Sequence, residues 1–311
     1  CQVLVLAMDG VYLHAPRPKN ESVPLVLPPG ARADVAVMCD EPGQYYMLSH
    51  ENPDVINLGA QEGFSSGVLA LIDVSGDRKP MAAPTALPSL PPYLKDTRAT
   101  AGAAVTSSFA ARWDLLYLIN NTAGLTDVPI YGISGQTFNA SLAPAVCVQA
   151  QQDAVAEWTI SNPIWICNAS QPLCLSTMNR SAASGPLLNK YERPITLSHG
   201  FHMHTFKFQV VDDSNGGASV DYHVGDWRDT VTTPVAGWVR VRWRPEHFKG
   251  LVPYHCHMSP HSDRGMIATA LVADTCPSPM PSVADLAKQW STTSSSSSSS
   301  SSSNNNDNND N

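Results

Sequence analysis

The sequence predicts an all-β chain with more than one domain, and three observations support this prediction. At 311 residues the chain is long enough for two domains. Its 25 prolines and 19 glycines favour frequent turns over long helices. Short apolar runs recur between turn signals, which is the pattern of strands that pack into a sandwich or a barrel.

Residues 1–75 carry the first set of predicted strands. Asp9-Gly10 separates two apolar runs, which is a hairpin signal, and Pro29-Gly30 precedes an alternating strand. The segments PGQYYMLS and GVLALIDV add two more strands. This is a small number for a sandwich, so we expect part of a β domain whose beginning is absent.

The rest of the chain divides into three predicted segments. Residues 76–105 are rich in proline and alanine and predict an extended linker. Strand-like runs then continue, so residues 106–276 predict a complete β domain. Residues 277–311 end in ten serines and an asparagine-rich run, which predict a disordered tail. The segment VADLAKQW, just before the serines, predicts one short helix.

Charge and covalent chemistry narrow the possible functions. The net charge of −8 argues against binding nucleic acid or an anionic membrane surface. If Cys256 binds a metal, six of the seven cysteines remain, and an even number permits disulfides in an oxidising compartment. Cys167 and Cys174, in a polar insertion, are expected to form a disulfide rather than a metal pair. Five glycosylation sequons also favour a secreted or cell-surface glycoprotein: Asn20, Asn120, Asn139, Asn168 and Asn179.

The segment YHCHMSPHSDRGM, residues 254–266, orders its side chains as a metal site would. Alternate side chains of a strand point to opposite faces, so His255 and His257 share one face and Cys256 lies on the other. A thiolate, two imidazoles and a weak thioether are the ligands of a blue copper centre. His261 and Met266 could supply one imidazole and the thioether.

A second segment, SHGFHMHTF, residues 198–206, supplies further imidazoles. His202 and His204 are two residues apart and share a face, whereas His199 is offset by a short turn. If the two segments form neighbouring strands, His199 lies with Cys256 on one face. His202 and His204 then lie with the histidines that flank Cys256 on the opposite face. The alternative is a zinc site or unrelated core histidines, but zinc sites rarely interleave these residue types on one strand.

The order HxxHxH followed by HCHxxxHxxxxM resembles the copper motifs of the multicopper oxidase family. LPPGARADVAV and PGQYYML are similar to the second domain of that family, and WRDTVTTPVAGWVRVRW is similar to the last. The resemblance covers most of residues 1–275. It implies tandem cupredoxin-like Greek-key β-sandwiches, of which the first is incomplete.

The resemblance also implies a role for each ligand. Four residues would bind the type 1 copper, which takes electrons from the substrate: His199, Cys256, His261 and Met266. The type 2 copper would be bound by His202, and the type 3 pair by His204, His255 and His257. The segment His255-Cys256-His257 would also be the catalytic electron path to the trinuclear cluster, where O2 is reduced to water.

Two departures from the family pattern matter. Gly200 stands where the family usually has proline, and we expect it to loosen the turn without removing a ligand. The family's trinuclear cluster needs eight histidines, of which four come from two HxH pairs in the first domain. The remaining histidines here are isolated, and we expect them at the surface: His14, His50, His223 and His247. We therefore expect that an N-terminal cupredoxin domain is missing.

The predicted function is copper-dependent oxidation of a small reducing substrate, a phenol-like molecule or a metal ion, with O2 as electron acceptor. The alternative is a type 1 electron-transfer or binding module without oxygen chemistry, because the first-domain histidine pairs are absent. A third possibility is a copper-storing or structural glycoprotein. Asp229 could hydrogen-bond a ligand histidine or cap a turn, and Glu192 could line a substrate entrance or end a solvated strand.

Overall fold

The computed structural model describes residues 1–49, 67–77, 79, 81–99, 105–119, 128–168, 174–178, 192–195, 198–216 and 221–289. Strands dominate these ranges, which confirms the predicted all-β fold. Among the helices of the described ranges, none has the length and hydrophobicity needed to cross a bilayer.

The described part of the first unit, residues 1–49 and 67–75, contains five strands in two small sheets. Their bounds are β1 (Gln2–Met8), β2 (Val11–Lys19), β3 (Ala33–Met38), β4 (Gly43–Ser49) and β5 (Gly67–Val74). β1 lies between β2 and β3 and is antiparallel to both, while β4 pairs with β5 as a separate ribbon. Asp9 and Gly10 form the turn between β1 and β2 with φ angles of 51° and 77°, as the hairpin signal predicts.

The β4–β5 ribbon exposes apolar side chains. Tyr46 is 59% exposed, Val68 62% and Leu69 66%. Neighbouring residues of a strand point to opposite faces, so Val68 and Leu69 show that both faces of β5 are open. An isolated two-stranded ribbon is marginally stable in water. The described residues therefore leave this part of the first unit without the apolar cover that a sandwich provides.

The second unit, residues 105–276, is a sandwich of two large sheets. Its elements are β6 (Val105–Ile119), β7 (Val128–Ile133), β8 (Val146–Gln149), β9 (Val155–Asn162), β10 (Ile164–Asn168), β11 (Cys174–Thr177), β12 (Glu192–Ile195), β13 (His199–Met203), β14 (Phe208–Asp213), β15 (Trp227–Arg228), β16 (Thr230–Thr233), β17 (Gly237–Trp243), β18 (Gly250–Cys256), α1 (Ser259–Ser262) and β19 (Ile267–Ala273). One sheet has the order β15-β14-β17-β9-β6-β7 and the other β16-β13-β18-β19-β8. A third, smaller sheet has the order β11-β10-β12.

An aromatic core lies between the two large sheets. The ring of Trp158 meets those of Trp243 and Tyr254 edge-on, with centroid distances of 5.5 and 4.9 Å. All three side chains are fully buried. Buried aromatic pairs of this geometry contribute strongly to core stability. Because Tyr254 directly precedes His255 on β18, this core anchors the strand that carries the HCH motif.

Disulfides join Cys1 to Cys39 and Cys147 to Cys276. The first joins the start of β1 to the end of the neighbouring strand β3, and the second ties β8 to the segment after β19. Cys167 lies opposite Cys174 in the antiparallel register of β10 and β11. Their side chains lie outside the described residues, so a disulfide between them stays a prediction.

The predicted linker packs against both units. Leu94 forms a small buried cluster with Val11 of the first unit and Trp227 of the second. The N–H and the hydroxyl of Thr97 both donate to Oε1 of Gln209 at 2.7 Å. These contacts attach the second half of the linker to the molecule.

The short helix predicted from VADLAKQW is present, whereas the disorder predicted for the rest of the C-terminal segment is only partly met. Residues 283–289 are helical, and Leu286 is buried. The N–H of Val283 donates to the carbonyl of Leu142 at 2.9 Å. The expectation of disorder from residue 277 onward is therefore wrong for residues 277–289, because an apolar side chain of the short helix is buried there. Residues 290–311 lie outside the described residues.

The buried carboxylate of Asp9 joins the two units. Its Oδ2 accepts hydrogen bonds from Nε of Arg228 at 2.7 Å and from the N–H groups of Asp229 and Thr230 at 3.2 Å. Its Oδ1 accepts the N–H of Arg32 at 3.0 Å. A buried carboxylate is tolerated only when it is paired and hydrogen-bonded. The first hairpin of the chain is thereby fixed against β15 and β16.

Replacing Asp9 with Asn should destabilise the second unit, because the fully buried guanidinium of Arg228 loses its counter-charge. We expect the free energy of unfolding to fall by about 3–5 kcal/mol. Asparagine tolerates the positive φ of this position, so backbone strain does not confuse the result. All seven tryptophans lie at or after Trp113, so urea unfolding followed by tryptophan fluorescence reports on the second unit.

Asp274→Asn is the matched control. Asp274 pairs with Lys249 at 2.7 Å, and both side chains are more than half exposed. Exposed pairs of this kind contribute about 0–1 kcal/mol. Equal losses of stability in the two variants would contradict the interface role of Asp9.

Candidate metal centre

Two neighbouring strands bring the histidine segments together. β13 pairs antiparallel with β18, so that Phe201 lies opposite Cys256 and His202 lies opposite His255. Burial alternates along β18, with Cys256 buried and His255 only partly buried. The expected strand pairing and the expected separation of cysteine and histidine onto two faces are both confirmed.

A buried cluster of two imidazoles and a thiol lies on the interior face. Sγ of Cys256 is 3.5 Å from Nδ1 of His199 and 3.5 Å from Nδ1 of His261. The two Nδ1 atoms are 3.2 Å apart. All three side chains are buried, and their ligand atoms lie within 4.8 Å of one another. Three such atoms around one point are the strong ligands of a blue copper site.

The loop after Cys256 is closed around this cluster by backbone hydrogen bonds. The N–H of Cys256 donates to the carbonyl of Met266 at 3.2 Å, and the N–H of Met266 donates to the carbonyl of His261 at 3.0 Å. α1 holds His261, whose N–H donates to the carbonyl of Met258 at 2.9 Å. Met266 is fully buried. Its role as the axial ligand stays a prediction.

Burial keeps both interior imidazoles neutral. Desolvation, with a smaller contribution from His261, lowers the pKa of His199 well below 6.5. Desolvation, with a smaller contribution from Arg264, lowers the pKa of His261 to about 4. The ring of Trp113 packs on His199 at 5.4 Å, and that of Tyr131 packs on His261 at 4.3 Å. A neutral imidazole is the form that binds a metal, so burial keeps both imidazoles in the form that a metal site requires.

Four imidazoles converge on the opposite face of the same strands. Nε2 of His204 is 3.1 Å from Nε2 of His255. The ring of His202 lies 5.0 Å from those of His204 and His257 and 5.3 Å from that of His255. Desolvation is the main cause that lowers the pKa of His255 to about 4. The structure thus collects all four histidines predicted to bind the type 2 and type 3 copper ions.

His202 is held by the backbone at the start of β16. Its Nδ1 lies 3.0 Å from the carbonyl oxygen of Asp229 and 2.9 Å from Oγ1 of Thr230. The carboxylate of Asp229 is farther from Nδ1, at 3.7 Å, and binds Arg32 and Lys207 instead. Burial alone would raise the pKa of Asp229, but its hydrogen bonds, foremost that from Arg32, lower it overall. Asp229 therefore meets the predicted ligand chiefly through its backbone.

A loop of the first unit touches the histidine cluster. Gly30 has a φ of 85°, and a Cβ atom there would lie 2.3 Å from Cδ2 of His257. Gly200 faces the same loop, with the carbonyl oxygen of Pro29 3.5 Å from its Cβ position. Gly200 lies within β13 and its carbonyl accepts the N–H of His257 at 2.8 Å. The expectation that it loosens a turn is wrong, because this glycine packs beneath the Pro28–Gly30 loop.

Among the residues that the structure describes, the isolated histidines do not join either cluster. His14, His223 and His247 are exposed, as expected, and His50 lies outside the described residues. Glu192 begins β12, but its side chain lies outside the described residues, so its place near a substrate stays a prediction.

The glycosylation sequons are only partly described. Asn20 and Asn139 are exposed. Asn168 ends β10, and its side chain lies outside the described residues, as do Asn120 and Asn179 entirely. Exposure makes the first two accessible to modification, and glycosylation itself stays a prediction.

Several residues of the site carry no signal in the sequence. Trp113 and Tyr131 stand in ordinary apolar strands, and Arg32 and Gly30 belong to another unit. Asp229, in the segment WRDTV, is the exception, because the sequence offers it as a hydrogen-bond partner of a ligand histidine or as a turn cap. Thr230 contacts Nδ1 of His202 together with the carbonyl of Asp229. The sequence could identify it as part of the site only if the pairing of β13 with β16 were known.

Comparisons with known proteins find relatives of one family. Residues 126–275 match the family described as "Multicopper oxidase". A putative laccase-17 from Oryza sativa subsp. japonica is 22% identical over 314 residues, which cover 87% of this chain and 54% of the relative. A putative laccase-5 from the same organism is 36% identical over 92 residues, which cover 27% of this chain and 16% of the relative. The chain spans about half the length of the putative laccase-17.

Solved structures share the fold. A multicopper oxidase from Campylobacter jejuni, described as a metallo-oxidase, matches with a TM-score of 0.59 at 17% identity, covering 88% of this chain and 49% of that protein. McoA multicopper oxidase from Aquifex aeolicus matches with a TM-score of 0.58 at 17% identity, covering 87% of this chain and 49% of that protein. The fold is accordingly a tandem of cupredoxin-like β-sandwiches.

Gly30→Ala should displace the imidazole of His257, because the new methyl group would overlap its ring. We expect the side-chain NMR signals of His257 to shift in a chain labelled with ¹⁵N-histidine. Gly10→Ala is the matched control, since Gly10 also has a positive φ but has no heavy atom within 4 Å of its Cβ position. Both variants carry a backbone strain of about 1–2 kcal/mol. An unshifted His257 in Gly30→Ala would contradict the contact.

Proposed function

Since residues 126–275 match the multicopper oxidase family, we propose that this chain takes part in copper-dependent oxidation of a small reducing substrate with O2 as electron acceptor. One observation carries the proposal. Three consecutive residues, His255, Cys256 and His257, place a thiol in the buried cluster and two imidazoles in the cluster on the opposite face. The two clusters are therefore joined by a short run of covalent bonds.

The buried cluster suits a type 1 copper. Its soft thiolate and two neutral imidazoles are the donor set that such a site uses, and Met266 is proposed as the weak axial ligand. Copper bound there would accept one electron at a time from the substrate. The protein contributes by burial: His199 and His261 stay neutral, and aromatic rings cover them.

The second cluster suits the other copper ions. His202 is proposed as the type 2 ligand, with His204, His255 and His257 as type 3 ligands. Copper bound there would supply the reduction of O2 to water. Nδ1 of His255 donates to the carbonyl of Cys256 at 2.9 Å, and Nε2 of the same ring faces His204. The protein thus orients the free ring nitrogen of His255 towards the cluster.

Four histidines are too few to hold three copper ions. We propose that four more come from a further cupredoxin domain, which acts as the partner of this chain. The match to about half of a laccase relative supports this proposal. The apolar β4–β5 ribbon supports it as well, because its exposed side chains offer surface to be covered.

The proposed substrate is a phenol-like molecule, ferrous ion or cuprous ion. The proposed location is outside the cytoplasm. Disulfides persist in oxidising compartments, and the pairs Cys1–Cys39 and Cys147–Cys276 fit such a location.

An electron-transfer module without oxygen chemistry is the second candidate. The observation that favours it is the difference between the two clusters. In the buried cluster, the three proposed strong ligands of a type 1 copper lie next to one another. The histidine cluster is partly exposed and holds half of the eight histidines proposed for the trinuclear site. Such a module would exchange electrons and leave O2 unchanged.

The chain loaded with copper should show intense blue absorption from charge transfer between thiolate and copper. Cys256→Ser should abolish this band, because serine offers a hard oxygen in place of a soft thiolate. Met266→Leu is the control and should keep the band while raising the reduction potential, since a weak axial ligand tunes potential. The measurement is visible absorption with a redox titration. A blue Cys256→Ser protein would exclude Cys256 as the ligand.

The copper-loaded chain alone should accept electrons from a phenolic or ferrous donor and then stop. The physical reason is that half of the proposed trinuclear ligands are present. Oxygen uptake and copper counting by electron spin resonance measure this, and we expect a type 1 signal without a stoichiometric type 2 signal. Adding a cupredoxin domain with two HxH pairs should start turnover. Sustained oxygen uptake by the chain alone would contradict the proposed partner.

A further inference from the structure

A chain of hydrogen bonds runs from the first unit to the histidine cluster. The guanidinium of Arg32 binds the carboxylate of Asp229 in two places, with Nη1 2.7 Å from Oδ1 and Nη2 2.6 Å from Oδ2. Lys207 binds the same carboxylate and donates to the carbonyl of Asp9 at 2.6 Å. Two cations therefore hold this carboxylate in one orientation.

The direction of the next bonds follows from their chemistry. Oγ1 of Thr230 is 2.9 Å from Oδ1 of Asp229, and an ionised carboxylate can only accept, so the hydroxyl donates. Its lone pairs remain for Nδ1 of His202 at 2.9 Å. The carbonyl of Asp229, 3.0 Å from the same Nδ1, is also an acceptor. Both partners of Nδ1 accept, so the proton of a neutral His202 belongs on Nδ1.

One peptide group connects Asp9 with His202. The N–H of Thr230 and the carbonyl of Asp229 are the two ends of a single peptide. Its N–H donates to Oδ2 of Asp9 at 3.2 Å, and its carbonyl faces His202. Asp9 therefore fixes the position of the acceptor that the imidazole meets, although it lies in the first hairpin.

We propose that Asp9 and Arg32 are positioning residues that fix His202 in the tautomer with its proton on Nδ1. Nε2 then carries the lone pair and is presented to the histidine cluster before any metal binds. The inference rests on the proposed function in one respect, that this Nε2 is the atom offered to copper. An exposed histidine in water prefers the proton on Nε2, so the fixed tautomer is a property that the protein imposes.

The test is an NMR measurement on the metal-free 311-residue chain labelled with ¹⁵N-histidine. Long-range ¹H–¹⁵N correlations show which ring nitrogen carries the proton, and His202→Gln identifies the His202 signals by their loss. We expect the Nδ1–H form in the unsubstituted chain. In Arg32→Gln the carboxylate loses its two-point contact, and we expect a mixture in which the Nε2–H form appears.

A pair of variants at Thr230 separates this role from a general effect on folding. Thr230→Val keeps the shape and removes the hydroxyl, so we expect the mixed tautomers. Thr230→Ser keeps the hydroxyl and should restore the Nδ1–H form. Arg240→Gln is the matched control for Arg32→Gln. It removes a guanidinium that binds Asp212 at 3.2 Å, away from His202, and should leave the tautomer unchanged.

Two results would overturn the inference: a proton on Nε2 in the unsubstituted chain, or Nδ1–H spectra that stay unchanged in both Arg32→Gln and Thr230→Val. If Arg32→Gln fails to fold, the Thr230 pair decides the question. The measurement needs no copper, so its outcome is independent of the proposed oxidase function. A copper-loaded chain without blue absorption would instead overturn the function and leave the tautomer result standing.

Discussion

The alternation of side chains along β18 is the constraint on which both clusters depend. Successive residues of a strand face opposite sides, so a thiol and two imidazoles in sequence must serve two separate environments. The packing around the strand then makes the two environments differ in burial. Tyr254 anchors the strand in an aromatic core beside Cys256, whereas the outer face meets a loop of the first unit at His257. The interior cluster is buried and its imidazoles are neutral, whereas the outer cluster is partly exposed.

The first unit contributes position rather than ligands to the described clusters. Asp9 and Arg32 act on the peptide and the carboxylate of Asp229, and Gly30 leaves room for an imidazole. Each contact is short and directional, which suits the narrow tolerance of metal sites for misplaced ligands. The histidine cluster is therefore a property of the interface between two sandwiches, even though its imidazoles all belong to one.

The sequence predicts which histidines lie near Cys256 and which lie on the opposite face because this information is local. A period of two places Cys256 apart from its neighbours, and the family resemblance assigns the roles. Local patterns say nothing of contacts between distant segments, so Tyr131 on His261 and Gly30 on His257 were missed. Gly200 was misread for the same reason, since its neighbour is a loop of another unit. The helix of the tail was predicted from VADLAKQW, but the disordered segment was expected to begin too early, because the composition does not show that Leu286 is buried.

The interface through Asp9 also bears on how such chains can be recombined. The proline-rich linker looks like the natural point at which to exchange one sandwich for another. A crossover there would separate Asp9, Gly30 and Arg32 from the histidines and the carboxylate that they hold. A chimaera would then inherit every imidazole of the cluster and lose their alignment. The segment that must be transferred as one piece is therefore the second unit together with the first hairpin and the loop that follows it.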